Sequence, residues 1–421
     1  MRIAIVGGGA SGLITAYLLR NTHQTVVYEA DSILGGHVRT LNRNVQDVAL
    51  DASMVCENGV LGFDLTAYPT FRTLAERLEL DLQPYVMHSG LFYPGGRCWV
   101  TPSPYQKNTD SLLRRLRHFL NLLPLWTTRK KLIASLETYG PDELRGMATS
   151  ELVPDIDEPC HQALLACFML AFSMPFERVG EMPADLTIAY MQGGRLPNWY
   201  FIRDGVYSYI ETMISKMNSE HRRHCSSPVE YVRRHAEGVV VKARGHQEES
   251  FDKVVFATTP GQVLKIIQDP SEAETRRFCE WSCNTFTTFA HRDTGLYRDY
   301  PTEVYGPCDY FRVDDKRRFG YNTYVNHGYG QPTSTPCSFA YNLEAEIPES
   351  AILHRADHQT PNYRVKAFQH RYEVIETNGE HHTFHVGAYL GNGLHEGAAS
   401  SASAVSSILG GEVLAHAAPS R

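Results

Sequence analysis

The chain has 421 residues, of which 43% are hydrophobic and 21% are charged, and its formal net charge is -7 at pH 7. Because one hydrophobic core rarely serves so long a chain, we expect at least two domains. The composition excludes an intrinsically disordered protein, and the acidic balance argues against a general nucleic-acid binder. We therefore expect a globular protein that binds no nucleic acid.

The sequence has no segment typical of export or of membrane insertion. No basic and apolar leader precedes the first strand-like run. The longest nearly apolar run, from Ala163 to Phe172, has half of the roughly 20 residues that cross a bilayer. These features predict a cytoplasmic protein. The nine cysteines are scattered without CxxC spacing, which predicts unpaired thiols and no metal site.

The first thirty residues have the pattern of one βαβ unit. The β-branched apolar run from Arg2 to Val6 ends at a glycine-rich turn, after which apolar residues recur at helical spacing. A second strand, Val26 to Tyr28, follows the helix. We therefore expect strand, tight turn, helix and parallel strand.

The turn carries a dinucleotide-binding fingerprint in Gly7, Gly9 and Gly12. Glycine at these positions allows the tight turn, close approach of a pyrophosphate and close packing of the helix. Ala10 and Ser11 open the helix, whose N-terminus attracts phosphate without a basic side chain. The unit is therefore expected to bind a dinucleotide.

Glu29 ends the second strand, where a carboxylate can accept hydrogen bonds from both ribose hydroxyls. The same carboxylate would repel the 2′-phosphate of NADP. These residues leave FAD and NAD as the two alternatives.

Helical periods are expected from Tyr68 to about Leu136. Within them, Lys107 to Leu136 is basic and amphipathic, with a break expected at Pro124 that keeps the helices short. Such helices bind anionic membranes peripherally, and the alternative is an ordinary surface helix of a helical domain. Both interpretations stay open.

Further elements alternate along the rest of the chain. A helix is expected over Val206 to Met217, and a last strand over Thr383 to Ala388 leads into an Ala- and Ser-rich helix ending near Leu409. From Trp281 to Tyr341 there are 14 aromatic residues in 61, about twice the frequency in the whole chain. Together with the helix from Ala163 to Phe176, this section is expected to form an apolar substrate pocket.

Two further motifs carry a resemblance to a known family. The pattern Glu29-Ala30, Gly35-Gly36 and Thr40 resembles the second signature of the flavin-containing amine oxidase superfamily, which includes protoporphyrinogen oxidases and phytoene desaturases. The segment from Val386 to Gly397 resembles its carboxy-terminal flavin-binding motif. His37 and the Leu-His-Glu ending are most similar to a bacterial subgroup of predicted NAD/FAD-binding proteins. The resemblance implies FAD, held without a covalent bond.

The resemblance also implies cofactor contacts along the chain. The strand from Phe251 to Pro260 is similar to the family's strand near the adenine, and Val229 is expected to contact the adenine through its backbone. The full set of expected cofactor-binding residues is Gly7, Gly9, Ala10, Ser11, Gly12, Glu29, Ala30, Gly35, Gly36, His37, Val38, Arg39, Val229, Thr258, Gly391, Asn392, Gly393 and Leu394.

The carboxy-terminal motif also has a physical rationale. Gly391, Asn392 and Gly393 can present unhindered amides at a helix start, which would stabilise negative charge on a reduced flavin ring. Small residues after Gly397 would let this helix approach the first one closely. Glu396 is expected to favour the N-terminus of its own helix.

The implied fold class is α/β, with a Rossmann-type FAD-binding domain and an inserted α+β substrate-binding domain. We predict a discontinuous FAD-binding domain over 1–66, 200–265 and 380–415. The substrate-binding domain is predicted over 67–199 and 266–379, and a flexible tail over 416–421.

Two departures from the family limit the substrate prediction. Leu394 stands where amine oxidases carry an aromatic residue that cages the amine, and no lysine can be placed near flavin N5. His395 is the candidate for proton transfer, with hydrogen bonding to flavin or backbone as the alternative.

We therefore expect an FAD-dependent oxidoreductase that removes a hydride from an apolar, lipid-like or polyunsaturated small molecule. The alternatives are a redox-neutral double-bond isomerase, a flavin amine oxidase, and a non-catalytic carrier of a prenylated or lipidic partner. The oligomeric state is open.

Overall fold

A computed structural model describes residues 1–46, 48–101, 112–192, 199–300, 305–314 and 318–414. The tail predicted over 416–421 lies outside these residues. The strands are β1 (Arg2–Val6), β2 (Gln24–Tyr28), β3 (Thr40–Leu41), β4 (Cys56–Glu57), β5 (Phe63–Asp64), β6 (Leu82–Tyr85), β7 (Ser89–Tyr93), β8 (Arg97–Val100), β9 (Trp199–Ile202), β10 (Arg222–His224), β11 (Val229–His235), β12 (Gly238–Ala243), β13 (Glu249–Phe251), β14 (Lys253–Phe256), β15 (Cys283–His291), β16 (Cys308–Arg312), β17 (Phe319–Tyr324), β18 (Ser338–Tyr341), β19 (Ile352–Pro361) and β20 (Thr383–His385).

The helices in the same ranges are α1 (Ala10–Leu19), α2 (Pro69–Arg77), α3 (Leu112–Thr138), α4 (Pro141–Gly146), α5 (Thr149–Leu152), α6 (Pro159–Phe172), α7 (Ala184–Gln192), α8 (Ser208–Ser215), α9 (Pro260–Ile266), α10 (Glu272–Phe278), α11 (Val365–Phe368), α12 (Arg371–Glu376) and α13 (His395–Ile408).

A five-stranded parallel sheet in the order β10-β2-β1-β14-β20 carries the N-terminal βαβ unit. Its central strand reads Arg-Ile-Ala-Ile-Val and is buried after its first residue, as expected for a strand covered on both faces. Helix α1 packs against β1 and against α13, whose Ala399 and Ala402 are fully buried in the contact. The predicted close approach of these two helices is confirmed.

A seven-stranded mixed sheet in the order β19-β15-β18-β17-β16-β7-β8 forms a second layer. Strand β16 pairs in parallel with β7, and the other neighbours are antiparallel. Helix α6 packs against β16 and β17. Smaller sheets are β11-β12-β13, β3-β4 and β5-β9-β6. The domain boundaries stay a prediction.

The helical periods expected from Tyr68 to Leu136 are wrong in their middle part. Helices α2 and α3 lie within this range, but β6, β7 and β8 separate them. Strand β7 is paired with β16, more than 200 residues later in the chain. Because that partner is distant, local periodicity does not reveal the strand.

The expected break at Pro124 is also wrong, since α3 continues through this residue. Proline removes one N–H donor, and the helical bonds on either side hold the helix together. Leu120, Leu123 and Trp126 on α3 are exposed, as are Lys130 and Lys131. Peripheral membrane contact through this helix stays a prediction. No helix among the described residues has the length and apolarity needed to span a bilayer.

The prediction that all cysteines are unpaired is wrong for Cys56 and Cys337. The two residues form a disulfide between β4 and the chain preceding β18, with 6.3 Å between their Cα atoms. They are 281 residues apart in the chain, so the pairing follows only from the tertiary fold.

Glu57 is a fully buried carboxylate that joins three parts of the chain. It accepts hydrogen bonds from Thr40 Oγ1 (2.7 Å), the Val206 amide (2.8 Å) and the Tyr329 hydroxyl (2.7 Å). Burial raises its pKa to about 7. The folded state therefore binds the Glu57 proton more tightly than the unfolded chain does.

We predict that the Glu57→Gln variant shows a flatter pH dependence of the unfolding free energy than wild type. A raised carboxyl pKa stabilises the fold fully below the unfolded pKa of roughly 4.3, and this contribution is lost as pH rises towards the folded value. Between pH 4.5 and 7 the unfolding free energy of wild type should fall by about 1 to 3 kcal/mol more than that of Glu57→Gln, measured by urea denaturation. The exposed Glu237→Gln is the control. Equal slopes in wild type and Glu57→Gln would contradict the assignment.

Candidate functional site

One large cavity, with a volume of about 1440 Å³, is lined by the carboxyl ends of β1, β2 and β14 and by α6 and the seven-stranded sheet. Pockets for one small ligand usually have about 300 to 1000 Å³. The cavity is therefore large enough for a cofactor and a second molecule.

The structure brings most of the predicted site residues to this cavity. Those that line it are Gly7, Gly9, Ala10, Ser11, Glu29, Ala30, Gly35, Gly36, His37, Val38, Arg39, Val229, Thr258, Asn392, Gly393, Leu394 and His395. Gly12 and Gly391 do not line it. A Cβ on Gly12 would lie 2.1 Å from the Gly7 oxygen, and one on Gly391 would lie 2.6 Å from Gly397 Cα. These two glycines allow close packing behind the cavity wall.

Two glycine-rich loops cross at the start of α1. Gly35 donates its amide to the Gly8 oxygen (2.9 Å), and a Cβ on Gly36 would lie 3.0 Å from Gly9 Cα. Helix α1 begins after Gly9 without a side-chain cap. Its first amides are therefore available to an anion in the cavity.

Glu29 is placed at the carboxyl end of β2. Its Oε2 accepts the Gly8 amide (2.7 Å) and its Oε1 accepts the Asp31 amide (2.9 Å). Burial raises the pKa of this carboxyl group. Arg39 is paired with Asp31 (2.7 Å). A carboxylate held in this way can accept further hydrogen bonds at the cavity surface.

His37 lies against a second histidine that the sequence analysis missed. The rings of His37 and His358 are stacked with centroids 5.1 Å apart, and His358 Nε2 is 2.9 Å from Thr288 Oγ1. Burial lowers the pKa of His37 to about 4 and that of His358 well below its ordinary value. Both imidazoles are neutral near pH 7. The alternating pattern of β19 could have indicated which of its side chains face inward.

His395 is buried among aromatic rings at the start of α13. Its Nε2 lies 2.9 Å from the Tyr209 hydroxyl, and its ring contacts the edges of Phe63 and Phe71. Burial lowers its pKa to about 3. This geometry agrees with a hydrogen-bonding role, and the catalytic role stays a prediction.

Glu396 lies in the first turn of α13, as expected, but its carboxylate also serves another helix. Its two carboxylate oxygens accept the amides of Thr70 (2.9 Å) and Phe71 (3.0 Å) in the first turn of α2. The start of α13 uses Asn392 instead, whose Oδ1 accepts the amides of Leu394 (3.0 Å) and Gly397 (2.9 Å). Glu396 therefore caps a neighbouring helix, which its sequence position alone does not reveal.

The remaining wall of the cavity, called the substrate wall below, comes mainly from the two segments expected to form an apolar pocket, and Tyr190 joins it from outside them. It comprises Leu164, Cys167, Phe168, Ala171 and Phe172 from α6, Tyr190 from α7, and Cys308, Tyr310, Tyr321, Thr323 and Phe339 from the seven-stranded sheet. Apolar and aromatic side chains predominate, which suits a hydrocarbon ligand.

The chain matches the sequence model of flavin-containing amine oxidoreductases over residues 10–291. The chain belongs to this family. The predicted superfamily and the prediction of an FAD-dependent enzyme are thereby confirmed. No curated protein sequence matches the chain.

Solved structures share the fold at low sequence identity. A putrescine oxidase bound to putrescine has a TM-score of 0.65 and 12% identity, covering 97% of this chain and 99% of that one. A CLA-producing fatty acid isomerase from P. acnes has a TM-score of 0.68 and 14% identity, and the match covers 97% of this chain and 98% of that one. Cyclohexylamine oxidase from Brevibacterium oxydans IH-35A has a TM-score of 0.66 and 13% identity, and the match covers 97% of this chain and 99% of that one. The predicted fold class is confirmed.

The cofactor of this family member is FAD, as predicted. The residues at the cavity fit it on three counts. The glycine pair Gly9 and Gly36 leaves room for a pyrophosphate next to the N-terminus of α1. Glu29 offers acceptors for ribose hydroxyls. Thr258 Oγ1 and His37 Nε2 are buried at the wall and have no hydrogen-bond partner within the described part of the chain, so a bound molecule can supply one.

We predict that Glu29→Arg weakens FAD binding about tenfold or more, because a cation replaces the acceptor of charged hydrogen bonds. Glu29→Gln should bind FAD more tightly than Glu29→Arg, since it keeps one acceptor oxygen. The dissociation constant is measured by titrating apoprotein with FAD and following flavin fluorescence. Glu237→Arg, on an exposed turn, controls for the change in net charge. Unchanged affinity in Glu29→Arg would show that the carboxylate does not contact the cofactor.

We predict that Tyr209→Phe lowers the free energy of unfolding by about 1 kcal/mol, because His395 loses its hydrogen-bond partner. The pH profile of flavin reduction between pH 5 and 8 should be the same as in wild type, since His395 is neutral over this range. A pH profile that changes with this substitution would support proton transfer by His395.

Proposed function

We propose that this FAD-dependent enzyme removes a hydride from an apolar, lipid-like or polyunsaturated small molecule. The observation that carries the proposal is the shared cavity. Its nucleotide end is built from glycine loops and Glu29, and its other end is the substrate wall of α6, α7 and the seven-stranded sheet. A hydrocarbon in this second part would lie beside a cofactor held in the first.

The protein's own contribution is to bind, orient and exclude water. When bound, FAD supplies the hydride acceptor. Phe168, Phe172 and Phe339 offer apolar surface against which a chain can be held in one orientation. His37 and His358, neutral and stacked beside the glycine loops, are groups that can accept a proton lost by the substrate.

The amine oxidase alternative rests on a different group, Asp64. This buried carboxylate lines the cavity, and its Oδ1 already accepts the amides of Thr66 (3.0 Å) and Ala67 (3.4 Å). An ammonium ion would need such a carboxylate or an aromatic cage. A dependence of amine turnover on Asp64 would therefore favour this alternative. The non-catalytic carrier is not retained, because the chain belongs to an enzyme family.

Anaerobic mixing of the FAD-loaded protein with candidate substrates tests the proposal. We predict that fatty acids, polyenes or terpenoids cause loss of flavin absorbance, whereas putrescine and cyclohexylamine do not. For a net oxidation the absorbance stays low until oxygen or another acceptor is added.

Two outcomes would contradict the proposal, each in favour of one alternative. If only amines cause loss of absorbance, and Asp64→Asn abolishes it, the protein is an amine oxidase. If turnover continues through many anaerobic cycles without an acceptor, and the product has the same mass as the substrate, it is the double-bond isomerase.

A further inference from the structure

Three hydroxyl groups on the substrate wall have no oxygen or nitrogen partner among the described residues; Thr323 and Tyr310 are buried, and Tyr190 is half-buried. Thr323 Oγ1 has no hydrogen-bond partner, although the residue is fully buried. The Tyr190 hydroxyl has only Cys167 Sγ within reach, at 3.9 Å. The Tyr310 hydroxyl interacts with the thiols of Cys167 and Cys308. We call these three groups the hydroxyl cluster.

The cluster is built from three elements that face the same cavity. Tyr310 lies opposite Tyr321 in the pairing of β16 with β17, and Asp309 lies opposite Asn322. Since side chains alternate along a strand, Tyr310 and Thr323 face the same side of the sheet. Helix α6, which carries Cys167, packs against β16 and β17, and Tyr190 on α7 lies next to Cys167. All of these residues line the cavity.

Burying such hydroxyls is unfavourable unless a bound ligand supplies a hydrogen-bond partner. A buried polar group without a partner destabilises the fold. A thiol is only a weak donor and a weak acceptor, so it satisfies a phenol poorly. Burial raises the pKa of Tyr190 and of Tyr310 well above the ordinary value. Both phenols therefore stay protonated, and each can donate a hydrogen bond to an acceptor oxygen.

Arg129 also lines the cavity and carries a positive charge. Its guanidinium donates to the Met191 oxygen, and its charge acts on the Cys167 thiol. An acceptor oxygen at the cluster can therefore belong to a carboxylate or to an uncharged alcohol or ester. All three present the same hydrogen-bond acceptor to the hydroxyls.

We propose that the hydroxyl cluster binds the oxygen function of an otherwise hydrocarbon substrate and thereby fixes which carbon of the chain lies beside the cofactor. This inference rests on the proposed function and names the substrate class more narrowly. Thr323, Tyr310 and Tyr190 are specificity-determining residues in this account. An oxygen-free hydrocarbon would enter the same cavity without a fixed position along it.

The test compares four eighteen-carbon probes: oleate, methyl oleate, oleyl alcohol and 9-octadecene, each in the same detergent. The protein is loaded with FAD that has been reduced chemically, so that no hydride can pass to the cofactor. Each probe is titrated anaerobically, and the dissociation constant is taken from the change in tryptophan fluorescence. We expect the oxygen-bearing probes to bind wild type more tightly than 9-octadecene. Preference for oleate alone would assign the oxygen to a carboxylate, and equal preference for the ester and alcohol would assign it to an uncharged group.

Thr323→Val and Tyr310→Phe keep the shape of each side chain and remove one hydroxyl. Each should weaken binding of the preferred oxygen-bearing probes about three- to tenfold and leave 9-octadecene unchanged. Thr285→Val, on the exposed face of β15 in the same sheet, controls for the exchange itself. Unfolding midpoints establish that each variant is folded.

Equal binding of all four probes by wild type would overturn the inference but leave the proposed function intact. Equal weakening of all probes in Thr323→Val would also overturn it, since that result indicates a change in shape. Failure of every probe to bind would reject the proposed substrate class together with the inference.

Discussion

The close contact between helices α1 and α13 determines the geometry of the whole site. Small residues of α13, Ala399 and Ala402 among them, let the two helices touch. Gly12 and Gly391 carry no side chain where a Cβ would collide with the backbone of Gly7 and of Gly397. The N-termini of both helices therefore open on the same cavity. A motif from the first twenty residues and a motif from the last forty can then contact one cofactor, because packing in the core aligns them.

The features that could be predicted from the sequence are those that depend on residues close together in the chain. The glycine spacing of the first turn, the carboxylate of Glu29 and the small residues of α13 carry their structural meaning locally, and the βαβ unit and the meeting of α1 with α13 follow from them. The strands β6 to β8, the pairing of Cys56 with Cys337 and the capping of α2 by Glu396 depend on partners tens to hundreds of residues away. Periodicity cannot identify such partners, which is also why His358 was missed.

The cavity combines two kinds of wall with different chemistry. Its nucleotide end offers backbone amides and one carboxylate, which suit phosphates and ribose hydroxyls. The substrate wall is apolar and aromatic, and the hydroxyl cluster is its polar region. The buried imidazole of His37 stacks on that of His358 in β19, and both are neutral near pH 7. This division fits a family in which the cofactor performs the redox chemistry and the protein positions the substrate.

The absorption spectrum of the purified protein, recorded before and after denaturation, tests the central claim most directly. The account predicts a flavin spectrum in the native protein and one equivalent of FAD in the supernatant after the chain is precipitated, because the glycine loops and helix N-termini hold the cofactor without a covalent bond. A colourless protein that fails to take up added FAD, or flavin that stays with the precipitated chain, would contradict it.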